Sequence, residues 1–223
     1  MGLYVDSAVL EDVSRACATY PVAGVTTNPS IILAAMESGQ RMGYLDVLRR
    51  LLEIVEGPIF AQPVGESPGD LIRAGQEFAT LDNARIVLKL PMSAVGVEAA
   101  LTLRGEGARI SFTAVTSLAQ AYSGLLAGAE WIIPYFGRLR RAGIDACQRL
   151  LDMSHLIAGE GSGTRLLAAS VKSSADVVEA VLAGANDVTV PPRVIRDMMS
   201  DPLSDDAIRQ FTSDWAKARD IAG

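Results

Sequence analysis

The chain has 223 residues with 20 lysines and arginines against 26 aspartates and glutamates, giving a net charge of −6 and an isoelectric point near 4.9. That balance, with no basic patch, argues against a nucleic-acid partner; the two cysteines, Cys17 and Cys147, lie far apart without CxxC spacing and suit a reduced chain. Hydrophobic residues make up 49% and aromatic residues only 5%, a composition that favours helices packed on a sheet over an aromatic-rich all-β fold.

Strand-like and helix-like segments alternate along the whole chain. Leu3 to Asp6 reads as the first strand, with a helix from Leu10 to Thr19 entered through Ser7. Gly24 to Thr27 is the second strand, and Asn28-Pro29-Ser30 follows, with Asn28 as an N-cap and Pro29 at the first helical position. Helical spacing returns from Met42 to Val55, placing Leu45, Leu48, Leu52 and Val55 on one face. Pro58 to Gln62 is the third strand and Asp70 to Leu81 a helix; Ile86 to Pro91 is the fourth strand, and Ala94 to Arg104 its helix.

Arg109 to Thr113 is the fifth strand, with a helix from Ser117 to Ala127 ended by Gly128. Glu130 to Tyr135 is the sixth, with a helix from Ile144 to Ile157, and Ala158 to Thr164 is the most flexible connector in the pattern. Arg165 to Ser170 is the seventh strand, followed by a helix from Ser174 to Ala183; Asp187 to Val190 is the eighth, with a helix to Met199. Eight such units predict a (β/α)₈ TIM barrel spanning residues 1–200. The rival open sheet announces itself by a glycine-rich loop after strand one, where this chain has Asp6-Ser7-Ala8.

An additional C-terminal helix occupies residues 201–223. It runs from Ser204, its expected N-cap, to Ile221, and carries an apolar stripe of Ile208, Phe211, Trp215 and Ala218. Such a stripe needs cover, either from its own barrel or from a neighbouring subunit. No run approaches membrane-spanning length and the start lacks a signal pattern, so the expectation is a cytoplasmic protein with no membrane partner.

The fourth strand, Ile86-Val87-Leu88-Lys89-Leu90-Pro91, carries one charge in an apolar run. Alternation puts Val87 and Lys89 on one face and Ile86, Leu88 and Leu90 on the other. A strand covered on both faces withdraws Lys89 from water, which costs several kcal/mol. Two explanations stand: a buried ion pair, or a lysine made nucleophilic by desolvation.

The other strand ends bear on that choice. Asp6, Thr26 to Asn28, Gln62, Thr113, Tyr135 and Ser170 all sit where strands stop, the mouth at which barrel enzymes place their chemistry. An amine attacking a ketone yields a carbinolamine and then an iminium, an electron sink for making or breaking a C–C bond. Asp6 and Tyr135 suit the proton transfers, and Gln62 and Thr113 suit the holding of a water. That chemistry needs no metal. No His, Cys and carboxylate set has metal-ligand spacing, and His155, the single histidine, reads as a helix-surface residue. Ser170, Lys172 and a helix start suit a phosphate, with Arg138 nearby; Ser173, Ser174 and Asp176 read as an ordinary capped loop.

These residues resemble the transaldolase family, its small-subunit branch, and within that the fructose-6-phosphate aldolases. Gly24-Val25-Thr26-Thr27-Asn28-Pro29-Ser30 is similar to the family signature after strand two, and Val87-Leu88-Lys89-Leu90-Pro91 to its Schiff-base lysine segment. Ala127 to Glu130, Pro134-Tyr135 and Gly137-Arg138 match the strand-six region, and Leu167 to Lys172 the strand-seven region. The resemblance implies a barrel with the lysine on strand four, no cofactor, and handling of a dihydroxyacetone-type unit. It also implies rings of subunits, pentamers or decamers, clasped by the C-terminal helix.

Within the family, glutamine at the strand-three end and tyrosine on strand six are typical of the aldolases, whereas transaldolases carry glutamate and phenylalanine. This chain has Gln62 and Tyr135. It departs from many small-branch members in carrying Arg140-Arg141 and Asp145-Ala146, in a loop bordering the acceptor side.

The expectation that follows is a class I aldolase acting on ketose and aldose substrates, some phosphorylated. Lys89 forms the iminium, Asp6, Thr26 and Asn28 hold the donor, and Tyr135 shuttles a proton with a water on Gln62 and Thr113. Arg138, Ser170 and Lys172 receive the acceptor's phosphate. The first alternative is a transaldolase that keeps the three-carbon unit for a second aldose. The remote one is a non-catalytic sugar-phosphate-binding barrel with a buried Lys89–Asp6 pair.

Overall fold

The computed structural model describes residues 1–222, and Gly223 lies outside the described residues. Eight strands form a closed parallel barrel in sequence order: β1 (Gly2–Asp6), β2 (Val22–Thr26), β3 (Ile59–Ala61), β4 (Ile86–Pro91), β5 (Arg109–Val115), β6 (Trp131–Pro134), β7 (Arg165–Ala168) and β8 (Asp187–Val190). Closure comes from β1 pairing with β8, with Leu3 opposite Val188 and Tyr4 opposite Thr189. The open-sheet alternative is thereby removed, and the chain is a (β/α)₈ barrel with an added C-terminal helix.

The helices are α1 (Leu10–Thr19), α2 (Pro29–Glu37), α3 (Tyr44–Ile54), α4 (Pro68–Ala79), α5 (Ala94–Gly105), α6 (Leu118–Leu126), α7 (Phe136–Arg141), α8 (Ala146–Glu160), α9 (Ser174–Leu182), α10 (Pro192–Asp197) and α11 (Pro202–Ala222). Their starts follow from local chemistry. Asn28 Oδ1 accepts from the Ile31 N–H at 3.0 Å with Pro29 in the first turn, and Ser67–Asp70 and Ser117–Gln120 form capping boxes at α4 and α6.

Several boundaries differ from the sequence expectation. Ser7 does not cap α1: its Oγ accepts from the Val9 N–H at 3.2 Å and turns the chain one step earlier. The buried stripe of α3 is centred on Val47, Leu48 and Leu51, leaving Leu45 and Leu52 at its margins. Only the first three residues of the expected flexible connector are helix, since α8 runs to Glu160 and ends on Gly161 in the left-handed conformation; residues 162–164 are irregular as expected. The short α7 went unanticipated, its six residues being too few to show a period. Asp201, not Ser204, opens α11, accepting from the N–H groups of Leu203 and Ser204 at 3.0 and 3.2 Å.

Alternation along the strands separates two apolar regions. Ile86, Leu88 and Leu90 pack outward with Val25, Ile59, Phe112 and the helices, whereas Val87 faces inward with Tyr4, Phe60, Trp131, Ile133 and Leu167. Inside, Phe60 meets Tyr4 and Trp131 edge to face, with ring centroids 5.5 and 5.0 Å apart. Below them Asp187 accepts from Arg165 Nε and Nη2 at 2.7 and 2.6 Å and from Trp131 Nε1 at 3.1 Å. This plug fills the amino-terminal end of the barrel.

Outside the barrel, α11 buries none of its residues; Phe211 is 70% exposed and Trp215 66%. Its own barrel therefore does not cover the stripe. No helix among the described residues is long and apolar enough to cross a membrane.

Candidate active site

Lys89 stands on the inward face of β4, above the aromatic layer, and is only 3% exposed. Its strand neighbours force this position: the outward pair Leu88 and Leu90 is fully buried under helices, so the alternate residue points in. Burial lowers the ammonium from its ordinary 10.5 to about 8, with the negative charge of Asp6 acting in the opposite direction. Among the described residues no salt bridge reaches Lys89, so the buried-pair explanation has no ion pair behind it. Near neutral pH a usable fraction of the amine carries a lone pair.

Lys89 opens into a cavity of about 440 Å³ at the carboxyl ends of the strands, lined also by Asp6, Asn28, Gln62, Tyr135, Arg138, Ser170 and Lys172. Eight of the ten residues expected from sequence therefore share one cavity. Thr26 and Thr113 do not line it; both are 1% exposed and sit beside it. Thr113 Oγ1 donates to the Tyr135 hydroxyl at 3.1 Å, leaving the phenol proton free to point elsewhere. Thr26 Oγ1 donates to Asp6 Oδ1 at 2.7 Å, so its contact with any ligand runs through that carboxylate.

Asn28 has a divided role. Its Oδ1 is committed to the α2 cap, which leaves its NH₂ to face the cavity as a donor. On the far side, the Arg138 guanidinium lies over the Tyr135 ring at 4.6 Å, and Ser170 takes a positive φ of 61° beside it. Gly137 makes this approach feasible: a Cβ there would lie 2.2 Å from the Ser170 carbonyl oxygen.

Arg140, on α7, does not line the cavity. It bonds Asp176 at 2.6 Å, pairs with Glu179, and lies over the Phe136 ring at 4.8 Å. Asp176 in turn accepts from the Lys172 N–H at 3.1 Å, and Ser173 caps α9 through the Asp176 N–H. Ser173 and Asp176 thus belong to an ordinary cap, and His155 is exposed, both as expected.

Two residues near the site escaped the sequence reading. Thr189 Oγ1 lies 2.6 Å from Thr26 Oγ1, and Tyr44 on α3 touches the main chain of Gln62. Thr189 was discoverable, as a lone hydroxyl inside Val188-Thr189-Val190; Tyr44 offers no signal in a helix start of mixed character. Among the described residues no three His, Cys, Asp or Glu side chains cluster to hold a metal.

The family model described as Transaldolase/Fructose-6-phosphate aldolase matches residues 3–221. A curated "Probable transaldolase" of Symbiobacterium thermophilum is 35% identical over 219 residues, covering 98% of this chain and 99% of that protein. Another of Roseobacter denitrificans is 36% identical over 217 residues, covering 97% of each. A third, of Moorella thermoacetica, is 33% identical over 219 residues, covering 98% of this chain and 99% of that protein.

Among solved structures, the inosine 5′-monophosphate dehydrogenase of Legionella pneumophila superposes with a TM-score of 0.60 at 12% identity, over 87% of this chain and 58% of that one. This chain spans little more than half of that protein, and the likeness is one of barrel fold alone. The family match is of another kind: it runs almost end to end and is shared with relatives of equal length. The chain belongs to the Transaldolase/Fructose-6-phosphate aldolase family of enzymes.

Proposed function

We propose that this enzyme is a class I aldolase that joins a dihydroxyacetone-type donor to an aldehyde such as glyceraldehyde 3-phosphate, and cleaves the resulting ketose phosphate. The observation that carries the reading is Lys89: an amine withdrawn from water, without a salt bridge among the described residues, held near pKa 8 and facing a polar cavity.

In the cleavage direction, the neutral Lys89 amine adds to the ketose carbonyl carbon. Proton transfers convert the carbinolamine to an iminium with loss of water. The iminium accepts the electron pair of the breaking C–C bond while the hydroxyl of the departing fragment gives up its proton and becomes an aldehyde. The enamine left on Lys89 takes a proton at carbon, and water then hydrolyses the iminium to free dihydroxyacetone and the amine. Tyr135 is the proton carrier, oriented by Thr113, with the water held on Gln62.

Asp6 and the Asn28 NH₂ orient donor hydroxyls, with Thr26 bracing Asp6. Arg138, Ser170 and Lys172 form the basic, hydroxylated rim that suits the acceptor's phosphate. We place α11 on a neighbouring copy in a homo-oligomer, since its exposed Phe211 and Trp215 need apolar cover.

The names of the relatives favour a second reading, transfer of the three-carbon unit to another aldose. Gln62 and Tyr135 favour release: a neutral amide and a phenol at these positions can hold a water and protonate the enamine. Incubation with dihydroxyacetone and borohydride is expected to add mass at Lys89; no adduct, or one that survives Lys89→Met, sinks the Schiff-base reading. Assaying fructose 6-phosphate with and without erythrose 4-phosphate separates the two outcomes. Free dihydroxyacetone in both assays supports the aldolase, and product formed only with the second aldose supports the transaldolase.

A further inference from the structure

β3 is only three residues long, and its last rung pairs Ala61 with Leu88. Gln62 lies one residue beyond that rung, and Pro63 follows it with no N–H to give. The main chain that presents the Gln62 side chain therefore has a single donor near the end of the strand, its own N–H. A continuing parallel ladder would direct that N–H to a β2 carbonyl. Here it donates to the Tyr44 hydroxyl at 2.9 Å, a group supplied by α3 from outside the barrel.

The polarity of this contact is fixed by its neighbours. Thr27 Oγ1 lies 2.8 Å from the Phe60 carbonyl oxygen and 2.8 Å from Tyr44 Oη. A carbonyl only accepts, so Thr27 donates to Phe60 and accepts the Tyr44 proton, while Tyr44 accepts from Gln62. Burial pushes the Tyr44 phenol above its ordinary value, so it stays protonated and able to donate. The Tyr44 ring is fixed in turn by Phe78 of α4, with centroids 5.0 Å apart. The Gln62 side chain lines the cavity and makes no hydrogen bond to another described side chain, so its direction is set by its main chain and by what enters the cavity.

We infer that Tyr44 is a positioning residue for the release step: its hydroxyl anchors the end of β3 so that the Gln62 amide holds its water beside Lys89. The inference rests on the aldolase reading and adds to it a group on α3, outside the barrel. Tyr44→Phe removes one oxygen and keeps the ring on Phe78.

The test is a double-mutant cycle of Tyr44→Phe and Gln62→Ala, measured on fructose 6-phosphate cleavage. With Gln62 present, Tyr44→Phe is expected to lower kcat for dihydroxyacetone release about threefold to tenfold, the worth of one net hydrogen bond. The KM is expected to stay unchanged, and the end-point borohydride adduct at Lys89 to remain complete, which shows the barrel intact. In the Gln62→Ala background the same change is expected to have no further effect.

Equal losses in both backgrounds, or no loss with Gln62 present, overturn the inference alone. Absence of a Lys89 adduct in the parent enzyme overturns the aldolase reading, and the inference falls with it.

Discussion

Thr26 Oγ1 donates to Asp6 Oδ1 across 2.7 Å, from the end of β2 to the end of β1. Its own lone pair faces the Thr189 hydroxyl at 2.6 Å, and with the Thr26 proton committed to the carboxylate, Thr189 must donate. Three neighbouring strands thus aim a short hydroxyl chain at one carboxylate. The chain is buried and holds Asp6 where the amine of Lys89 feels its charge.

This arrangement predicts the behaviour of Thr26→Val, which strips a charge-assisted hydrogen bond from Asp6 without changing volume much. Donor turnover is expected to fall about tenfold to a hundredfold, and Thr26→Ser to restore most of it. Thr189→Val, one step further out, is expected to cost only about twofold to tenfold. Steady-state kcat/KM on dihydroxyacetone reads all three. Parental activity in Thr26→Val would remove Thr26 from any role at the site.

The depressed Lys89 value predicts a pH profile. Below about 8 the amine is mostly protonated and nucleophilic attack is proportionately slow, so borohydride trapping is expected to accelerate as pH rises and to level off above about 8. Asp6→Asn removes the charge that favours the ammonium, so the midpoint is expected to move to lower pH. A midpoint that stays put, or moves up, contradicts the electrostatic account of Lys89.

Stability follows from the same shift. Below about pH 8 Lys89 is charged in both folded and unfolded chains, and its burial penalty is fully present. Between about 8 and 10.5 the folded chain sheds the proton first, so the penalty is relieved as pH rises. Lys89→Met is therefore expected to stabilise the fold by roughly 2–3 kcal/mol at pH 7, with the advantage shrinking toward pH 10. Urea midpoints at pH 7 and 10 measure it. Destabilisation at both would favour a structural ion pair instead.

Arg138 and Arg140 are two residues apart and predict opposite phenotypes. Arg138 lines the cavity, so Arg138→Ala is expected to raise KM for a phosphorylated aldehyde about tenfold or more and to spare an unphosphorylated one. Arg140 is bound to Asp176 and Glu179, so Arg140→Ala is expected to lose only part of an exposed ion-pair network and to leave that discrimination intact. Equal losses of phosphate discrimination in both variants would put Arg140 on the substrate.

The uncovered stripe of α11 predicts a change of assembly. Replacing Phe211 and Trp215 by serine is expected to convert a larger parent species into subunit-sized particles in light scattering, with the barrel's circular dichroism unchanged. A parent that already runs as a single subunit refutes the placement of α11 on a neighbouring copy.

Much of this enzyme was readable from short-range order. Period-two alternation put Val87 and Lys89 on one face and Ile86, Leu88 and Leu90 on the other, and the strand ends named six of the residues that share the cavity. Asn28 and Ser117 marked helix starts because a side-chain cap reaches only two or three residues along the chain. What stayed hidden depends on distances between residues remote in sequence. Thr26 and Thr189 are 163 positions apart, and barrel closure brings them within 2.6 Å. The partners of Arg140, the reach of Tyr44 to Gln62 and the lack of any cover over α11 are likewise outcomes of register and helix packing. The sequence by itself determined that Lys89 shares a face with Val87, opposite Ile86, Leu88 and Leu90, because alternation is built into each strand. Only the tertiary structure decided that this face is the inner one and that, among the described residues, Lys89 stands without a salt bridge, because both depend on how the sheet closes and spaces β1 from β4.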